Sequence, residues 1–173
     1  IVKPTINGFT KDKLPYVGFV FIGLIKVGDD PKVIEYNVRM GDPETEVVVP
    51  RIKNDLLDVL AKTATGKIEN VELDIDPKHA ATVMMVSGGY PEAYEKNKVI
   101  SGLDQVNESA NLFICHAGTK KQNDQVLTNG GRVIAVTAFG DSFQNALKKA
   151  YENAEHIDFD KKYFRKDLGK DLV

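Results

Sequence analysis

A chain of 173 residues, 42% of them hydrophobic, is long enough for one or two domains with a sizeable core. Its formal net charge of −2 argues against a strongly basic nucleic-acid binder and gives no support to a polybasic membrane anchor. The single cysteine, Cys115, excludes an intramolecular disulfide framework and fits a reducing, cytoplasmic setting, and no apolar run approaches the roughly 20 residues of a membrane span.

Residues 1–15, with Pro4 and Gly8, read as an irregular lead-in. Residues 16–27 are rich in β-branched and aromatic side chains and apolar at both parities, which predicts a strand buried on both faces. Gly18 and Gly23 within it mark close approach of another backbone or a ligand. Gly28-Asp29-Asp30-Pro31 is a turn, so the strand should fold back antiparallel on residues 32–39.

That second strand carries the chemistry. Its period-two alternation sets Ile34, Tyr36 and Val38 on one face and Glu35, Asn37 and Arg39 on the other. A carboxylate, an amide oxygen and a guanidinium then stand roughly 7 Å apart along one strand. Glu and Asn are hard oxygen donors that hold Mg²⁺ while leaving room for phosphate oxygens, and Arg grips phosphate or carboxylate in a fork. The competing reading is that this polar row is only the solvated side of a sheet. Beyond it, Asp42 suits an N-cap and Pro43 the first position of a short helix running to Val49, where Pro50 interrupts.

Asn54 can cap a second helix with an apolar face of Leu56, Leu57, Val59, Leu60 and Ala64, stopped by Gly66. A domain boundary is placed there, giving residues 1–66 and 67–173. Residues 80–86 and 111–116 read as strands, and 125–128 with 132–138 as a hairpin closed by Asn129-Gly130-Gly131. Asp141 caps the clearest helix, with Phe143, Ala146, Leu147, Ala150, Tyr151 and Ala154 at helical spacing. The charged end is expected to fray beyond Arg165. His79, His116 and His156 show no metal spacing, Cys115 sits in an apolar run as an inert thiol, and the loop Ser87-Gly88-Gly89-Tyr90-Pro91 can line a pocket.

The segments 16–24 and 31–45, followed in order by Ser87-Gly88-Gly89-Tyr90-Pro91, His116-Ala117-Gly118-Thr119, Thr128-Asn129-Gly130-Gly131-Arg132-Val133 and Tyr163-Phe164-Arg165-Lys166-Asp167, resemble the phosphoribosylamine–glycine ligase (glycinamide ribonucleotide synthetase) family. The resemblance implies an α+β chain in which residues 1–66 end an ATP-grasp domain, an antiparallel sheet with helices. Residues 67–173 would form the mainly β C-terminal domain with one capping helix. It implies ATP, Mg²⁺ or Mn²⁺, glycine and 5-phosphoribosylamine as cofactors and substrates. By position Glu35 and Asn37 match metal ligands, Arg39 a catalytic residue, and Asp42 and Glu44 substrate-binding positions. It also implies that the first ATP-grasp lobe and an N-terminal domain precede this chain, which alone would not complete a turnover. Two alternatives stay open: another ATP-grasp carboxylate–amine ligase or biotin-carboxylase-like enzyme, and a non-catalytic binding or assembly domain.

Overall fold

The computed structural model describes residues 1–170 and has the expected α+β architecture. The chain falls into two compact units, Ile1–Thr45 with Ile52–Ile75, and Glu46–Arg51 with the chain from Asp76 onward.

The first unit opens with helix α1 (Val2–Lys11), where an irregular lead-in is predicted. Pro4 lies in the first turn, where an amide proton would have no helical acceptor, so it does not oppose the helix. Strands β1 (Phe21–Val27) and β2 (Asp30–Asn37) then form the expected antiparallel hairpin around Gly28, whose φ is +62°. Two expectations fail. Residues 16–20 are not strand, because Gly18 at φ +144° turns the backbone and the Tyr16 hydroxyl donates to Phe19 O (2.7 Å) and Val38 O (2.9 Å). Nor is β1 buried on both faces: Leu24, Ile25 and Val27 are about half exposed. A bulge opposite Gly23/Leu24 also leaves Ile34 without a partner in the register and interrupts the alternation along β2.

A short helix α2 (Thr45–Val48) runs into a 3-10 turn, Val49–Arg51, at Pro50. It starts later than an Asp42 cap requires. Residues 42–44 form a turn, and the Thr45 amide and hydroxyl both donate to Gly41 O (3.1 and 2.6 Å). Helix α3 (Leu56–Ala64) ends, as predicted, with Gly66 at φ +69°. Its cap is Asp55 rather than Asn54, the Asp55 carboxylate accepting from Leu57 N and Asp58 N. Asn54 instead ties two chain segments together, donating to Glu72 O and accepting from Asp74 N.

The second unit is built on a three-stranded antiparallel sheet, β3 (His79–Val86), β7 (Arg132–Gly140) and β4 (Leu112–His116), with β7 in the centre. Strands β5 (Thr119–Gln122) and β6 (Gln125–Thr128) pair only with each other. The predicted 125–128/132–138 hairpin is therefore wrong. The Asn129-Gly130-Gly131 segment crosses from one sheet to the other, held by Asn129 N donating to Gly118 O at 2.7 Å. The polar run Thr119-Lys120-Lys121-Gln122 gave no apolar alternation from which to read β5.

Helix α4 (Phe143–His156) packs Ala146, Ala150 and Ala154 against this sheet. Ser142, not Asp141, is its cap, its hydroxyl accepting from Asn145 N. The segment after α4 is held well past Arg165. Phe159 and Phe164 are core residues, and the Tyr151 hydroxyl donates to Arg165 O (2.7 Å) while accepting from Leu168 N (3.2 Å). The predicted fraying is wrong for residues 166–168, because Leu168 packs on the core; residues 171–173 lie outside the described residues.

Candidate functional site

Glu35 pairs with Gly23 across the hairpin, and Asn37 pairs with Phe21 where the ladder ends. The two are separated by two residues with no bulge between them, so both side chains leave the same face of β2. Gly23 is there for space. A Cβ on it would stand 2.9 Å from Glu35 Cγ, so the methylene stem of Glu35 lies directly across the partner strand. The close approach at Gly23 is to a side chain, that of Glu35, and not to the backbone or ligand expected there.

The row does not continue to Arg39 on the strand. Register stops at Asn37 because Tyr16 takes the Val38 carbonyl, and Arg39 lies in a bend with its guanidinium donating to Met40 O at 3.0 Å. Gly41 is buried, and a Cβ there would collide with the Glu44 carboxylate and come within 3.3 Å of the Phe21 ring. Glu44 is thus folded back toward the end of the hairpin that holds Asn37, while Asp42 is exposed in the intervening turn. Sequence neighbours become spatial neighbours through Gly41.

Among the described residues no three His, Cys, Asp or Glu side chains converge. The donor set on β2 is one carboxylate and one amide oxygen. That chemistry fits a hard divalent cation which keeps water or phosphate oxygens in its remaining positions, and does not fit a closed structural zinc site. The three histidines lie on separate elements: His79 starts β3, His156 ends α4, and His116 Nδ1 lies 3.0 Å from Thr119 Oγ1. Burial raises the Cys115 thiol pKa, and the nearby charges of Glu46 and Glu108 raise it further, so the thiol stays protonated and inert.

The second unit holds a cluster that the sequence reading did not assemble. The Arg132 guanidinium lies 5.7 Å from the centroid of the Tyr90 ring, and that ring fills the space above Gly131. Ser87 donates through its hydroxyl to Gly130 O (2.9 Å) and through its amide to Gly131 O (2.8 Å). The signal was present as two separate Gly-Gly loops, but nothing in their spacing said they touch.

The chain is similar to known proteins over nearly its whole length. The profile for the phosphoribosylglycinamide synthetase C domain matches residues 80–171, and that for the same enzyme's ATP-grasp (A) domain matches residues 1–45. A bifunctional purine biosynthetic protein of Pichia angusta is 47% identical over 171 residues, 98% of this chain and 21% of that protein. The phosphoribosylamine–glycine ligase of Chlorobaculum tepidum is 42% identical over 98% of this chain and 40% of its own length. The crystal structure of phosphoribosylamine–glycine ligase from Thermotoga maritima superposes with a TM-score of 0.80 at 35% identity, covering 94% of this chain and 40% of that one. The chain thus spans about two fifths of the length of such ligases.

Fold and matches define the class as one of ATP-grasp ligase sequence, carried here by an ATP-grasp segment followed by a C-terminal domain. The chain belongs to the phosphoribosylglycinamide synthetase family. Among the described residues no helix is long and apolar enough to cross a membrane.

Proposed function

We propose that this chain works in the ATP-dependent ligation of glycine to 5-phosphoribosylamine, giving glycinamide ribonucleotide, ADP and phosphate in the cytoplasm. The observation that carries the reading is the pairing of Glu35 and Asn37 on one face of β2, within a segment matched by the ATP-grasp profile. Residues 1–66 are in this reading the end of the ATP-grasp domain and 67–173 the C-terminal domain.

The γ-phosphoryl group of ATP passes to a carboxylate oxygen of glycine, forming glycyl phosphate and releasing ADP. The amine nitrogen of phosphoribosylamine then attacks the acyl carbon, the C–O bond to phosphate breaks, and the nitrogen loses a proton. Catalysis of such a step is positioning and charge neutralisation. Glu35 and Asn37 would hold Mg²⁺ or Mn²⁺, which supplies charge neutralisation at the phosphate oxygens. Arg39 contributes a guanidinium to the transferring phosphoryl group or the acyl phosphate. It lies just past the strand end, where its guanidinium donates to Met40 O. Asp42 and Glu44 contact substrate from the turn beside Gly41.

The test is a chimaera in which this chain replaces the matching segment, 40% of the length, of the Chlorobaculum tepidum ligase. Glycine-dependent ADP release is expected, and Glu35→Gln with Asn37→Ala should lower it on the order of a thousandfold without changing the melt. A folded chimaera without turnover would overturn the reading. Full activity in the double variant would move the metal off β2.

A further inference from the structure

The Tyr16 hydroxyl sits where the β1–β2 ladder stops. The last register pair is Phe21 with Asn37. Continued by one step the ladder would set Val20 against Val38, and by a second Phe19 against Arg39. Neither pair forms. The Tyr16 hydroxyl lies 2.7 Å from Phe19 O and 2.9 Å from Val38 O, so one donor serves the chain entering β1 and the chain leaving β2. With that donor in place the Val38 carbonyl is satisfied without a strand partner. As a strand residue Arg39 would take the next place in the row of Glu35 and Asn37, on the same face. The hydroxyl keeps it off the strand.

Three features of the same unit hold the hydroxyl there. Gly18 has φ +144°, and a Cβ on it would stand 2.8 Å from the Tyr16 hydroxyl oxygen, so glycine lets the ring fold back over the backbone that follows it. The Phe9 ring of α1 meets the Tyr16 ring edge-on, with centroids 6.4 Å apart. Helix α1 is itself tied to β2 by Thr5 Oγ1 and the Tyr36 hydroxyl, 3.1 Å apart. Beyond Val38 the chain turns back on the hairpin. Asn37 pairs with Phe21, and a Cβ on Gly41 would stand 3.3 Å from the Phe21 ring. Four residues of strand would instead carry Gly41 roughly 13 Å past Asn37. Val38, Arg39 and Met40 therefore form a short loop with both ends at Phe21. Tyr16 bonds the first residue of that loop, and the Arg39 guanidinium closes it on Met40 O at 3.0 Å.

We infer that Tyr16 is a positioning residue for Arg39: its hydroxyl takes the Val38 carbonyl out of the ladder and so sets the guanidinium in the loop beside the Glu35–Asn37 pair. A phosphoryl-transfer site depends on where its charges are held before the reaction, so a hydroxyl that fixes the placement of one guanidinium acts on turnover without touching substrate. Tyr16 touches neither Glu35 nor Asn37 through these bonds; its partners are the carbonyls of Phe19 and Val38. The inference rests on the ligase reading for what Arg39 does. It does not need that reading for where Arg39 is held.

The experiment has two arms. In the first, amide exchange and the Arg39 side-chain Nε–H resonance are followed by NMR in the 173-residue chain and in two variants. Tyr16→Phe keeps the ring and removes the hydroxyl, whereas Gly18→Ala keeps the hydroxyl and displaces it. In both, the freed Val38 carbonyl should pair with Val20, so that the Val20 and Val38 amides exchange more slowly and the Arg39 resonance shifts. Faster exchange of Phe21 and Asn37 instead, as loss of a plain structural tie would give, overturns the inference, and so does an unmoved Arg39 resonance. In the second arm, Tyr16→Phe in the chimaera should lower kcat about ten- to a hundredfold and leave KM for ATP and for glycine unchanged. In an Arg39→Ala background the same change should lower kcat by less than about twofold, because the group it positions is gone. An equal fold-loss in both backgrounds would overturn the route through Arg39. A chimaera without turnover whose isolated chain shows the expected exchange and resonance changes removes the ligase reading and keeps Tyr16 as the residue that places Arg39. Turnover with an unaltered kcat in folded Tyr16→Phe does the reverse.

Discussion

Gly118 and Gly131 sit within the same crowded junction but meet different obstacles, and the difference decides what an added methyl group costs. At Gly118 the obstacles are the Arg132 carbonyl and the Gly130 Cα, both backbone of the central strand's entry. Gly118→Ala should therefore destabilise the second unit by about 1–3 kcal/mol, the usual range for overpacking, seen as a lower urea midpoint of that unit. At Gly131 the obstacle is the Tyr90 ring, a side chain that can swing away. Gly131→Ala should cost less stability and instead release Tyr90 from Arg132, changing the Tyr90 ring resonances. Equal losses for the two variants would mean that the ring is held as firmly as the backbone.

Glu95 shows how an exposed network shifts a single group. Hydrogen bonds from Lys161 and then Lys98 push its pKa from 4.5 down to about 2, and the Lys98 ammonium also reaches Asp160 at 2.9 Å. A depressed carboxylate pKa contributes stability above its unfolded value, and that contribution is lost as pH falls through the folded value. The window is therefore pH 4.5 to about 2. Glu95→Gln should flatten the stability profile of the second unit within that window and leave its shape unchanged between pH 6 and 8. Solvent screening keeps the effect small, so it should shrink further in high salt. A difference between the two chains that grows above neutral pH would contradict the assignment.

At the scale of elements, what was legible in the sequence was whatever local chemistry decides. The Gly28 turn, the Gly66 stop and the α4 periodicity all emerge in place, because a turn or a helical stripe needs no distant partner. Errors gather where a distant partner decides. Asn129-Gly130-Gly131 is a hairpin signal in isolation, yet Gly118 draws it across to another sheet. The Glu35–Asn37 pair was readable from period two alone, whereas Arg39 lost its strand position to a hydroxyl of Tyr16, 23 residues earlier. The Tyr90–Arg132 contact was invisible, since it joins a loop after β3 to the start of β7, 42 residues later, through folding alone.

Helix caps illustrate the same point and can be tested. Asn54 and Asp55 are both good cap residues, and tertiary contact assigns their roles. Asp55→Ala should cost about 1 kcal/mol and loosen the first turn of α3, seen as faster exchange of the Leu57 and Asp58 amides that Asp55 accepts. Asn54→Ala should leave those amides protected and instead expose Asp74 N, its own donor. The reverse pattern of exchange would return the cap to Asn54.

Across the whole molecule, burial is distributed unevenly between the two units. Among the described residues, every buried apolar side chain except Val59 belongs to the second unit, where Val83, Met85, Val133, Ile134 and Val136 are wholly enclosed. The first unit has a hairpin with Ile34 at 64% and Val38 at 67% exposure, and an α1 that buries nothing. Hydrophobic burial is the dominant stabilising contribution, so local opening in the first unit should need far less free energy than unfolding of the second. The 173-residue chain should therefore unfold in urea in two steps. Amides of β1, β2 and α3 should exchange in the first, and those of β3, β7 and α4 only in the second. One transition with uniform protection would mean that the two units are stabilised jointly, by contacts beyond those each makes within itself. The same measurement bears on the exposed hairpin. If its apolar side chains are covered in the intact chimaera, β1 and β2 should gain protection there while β3 and β7 stay as they are. That outcome would identify the Glu35–Asn37 strand as an element whose order depends on what packs over it.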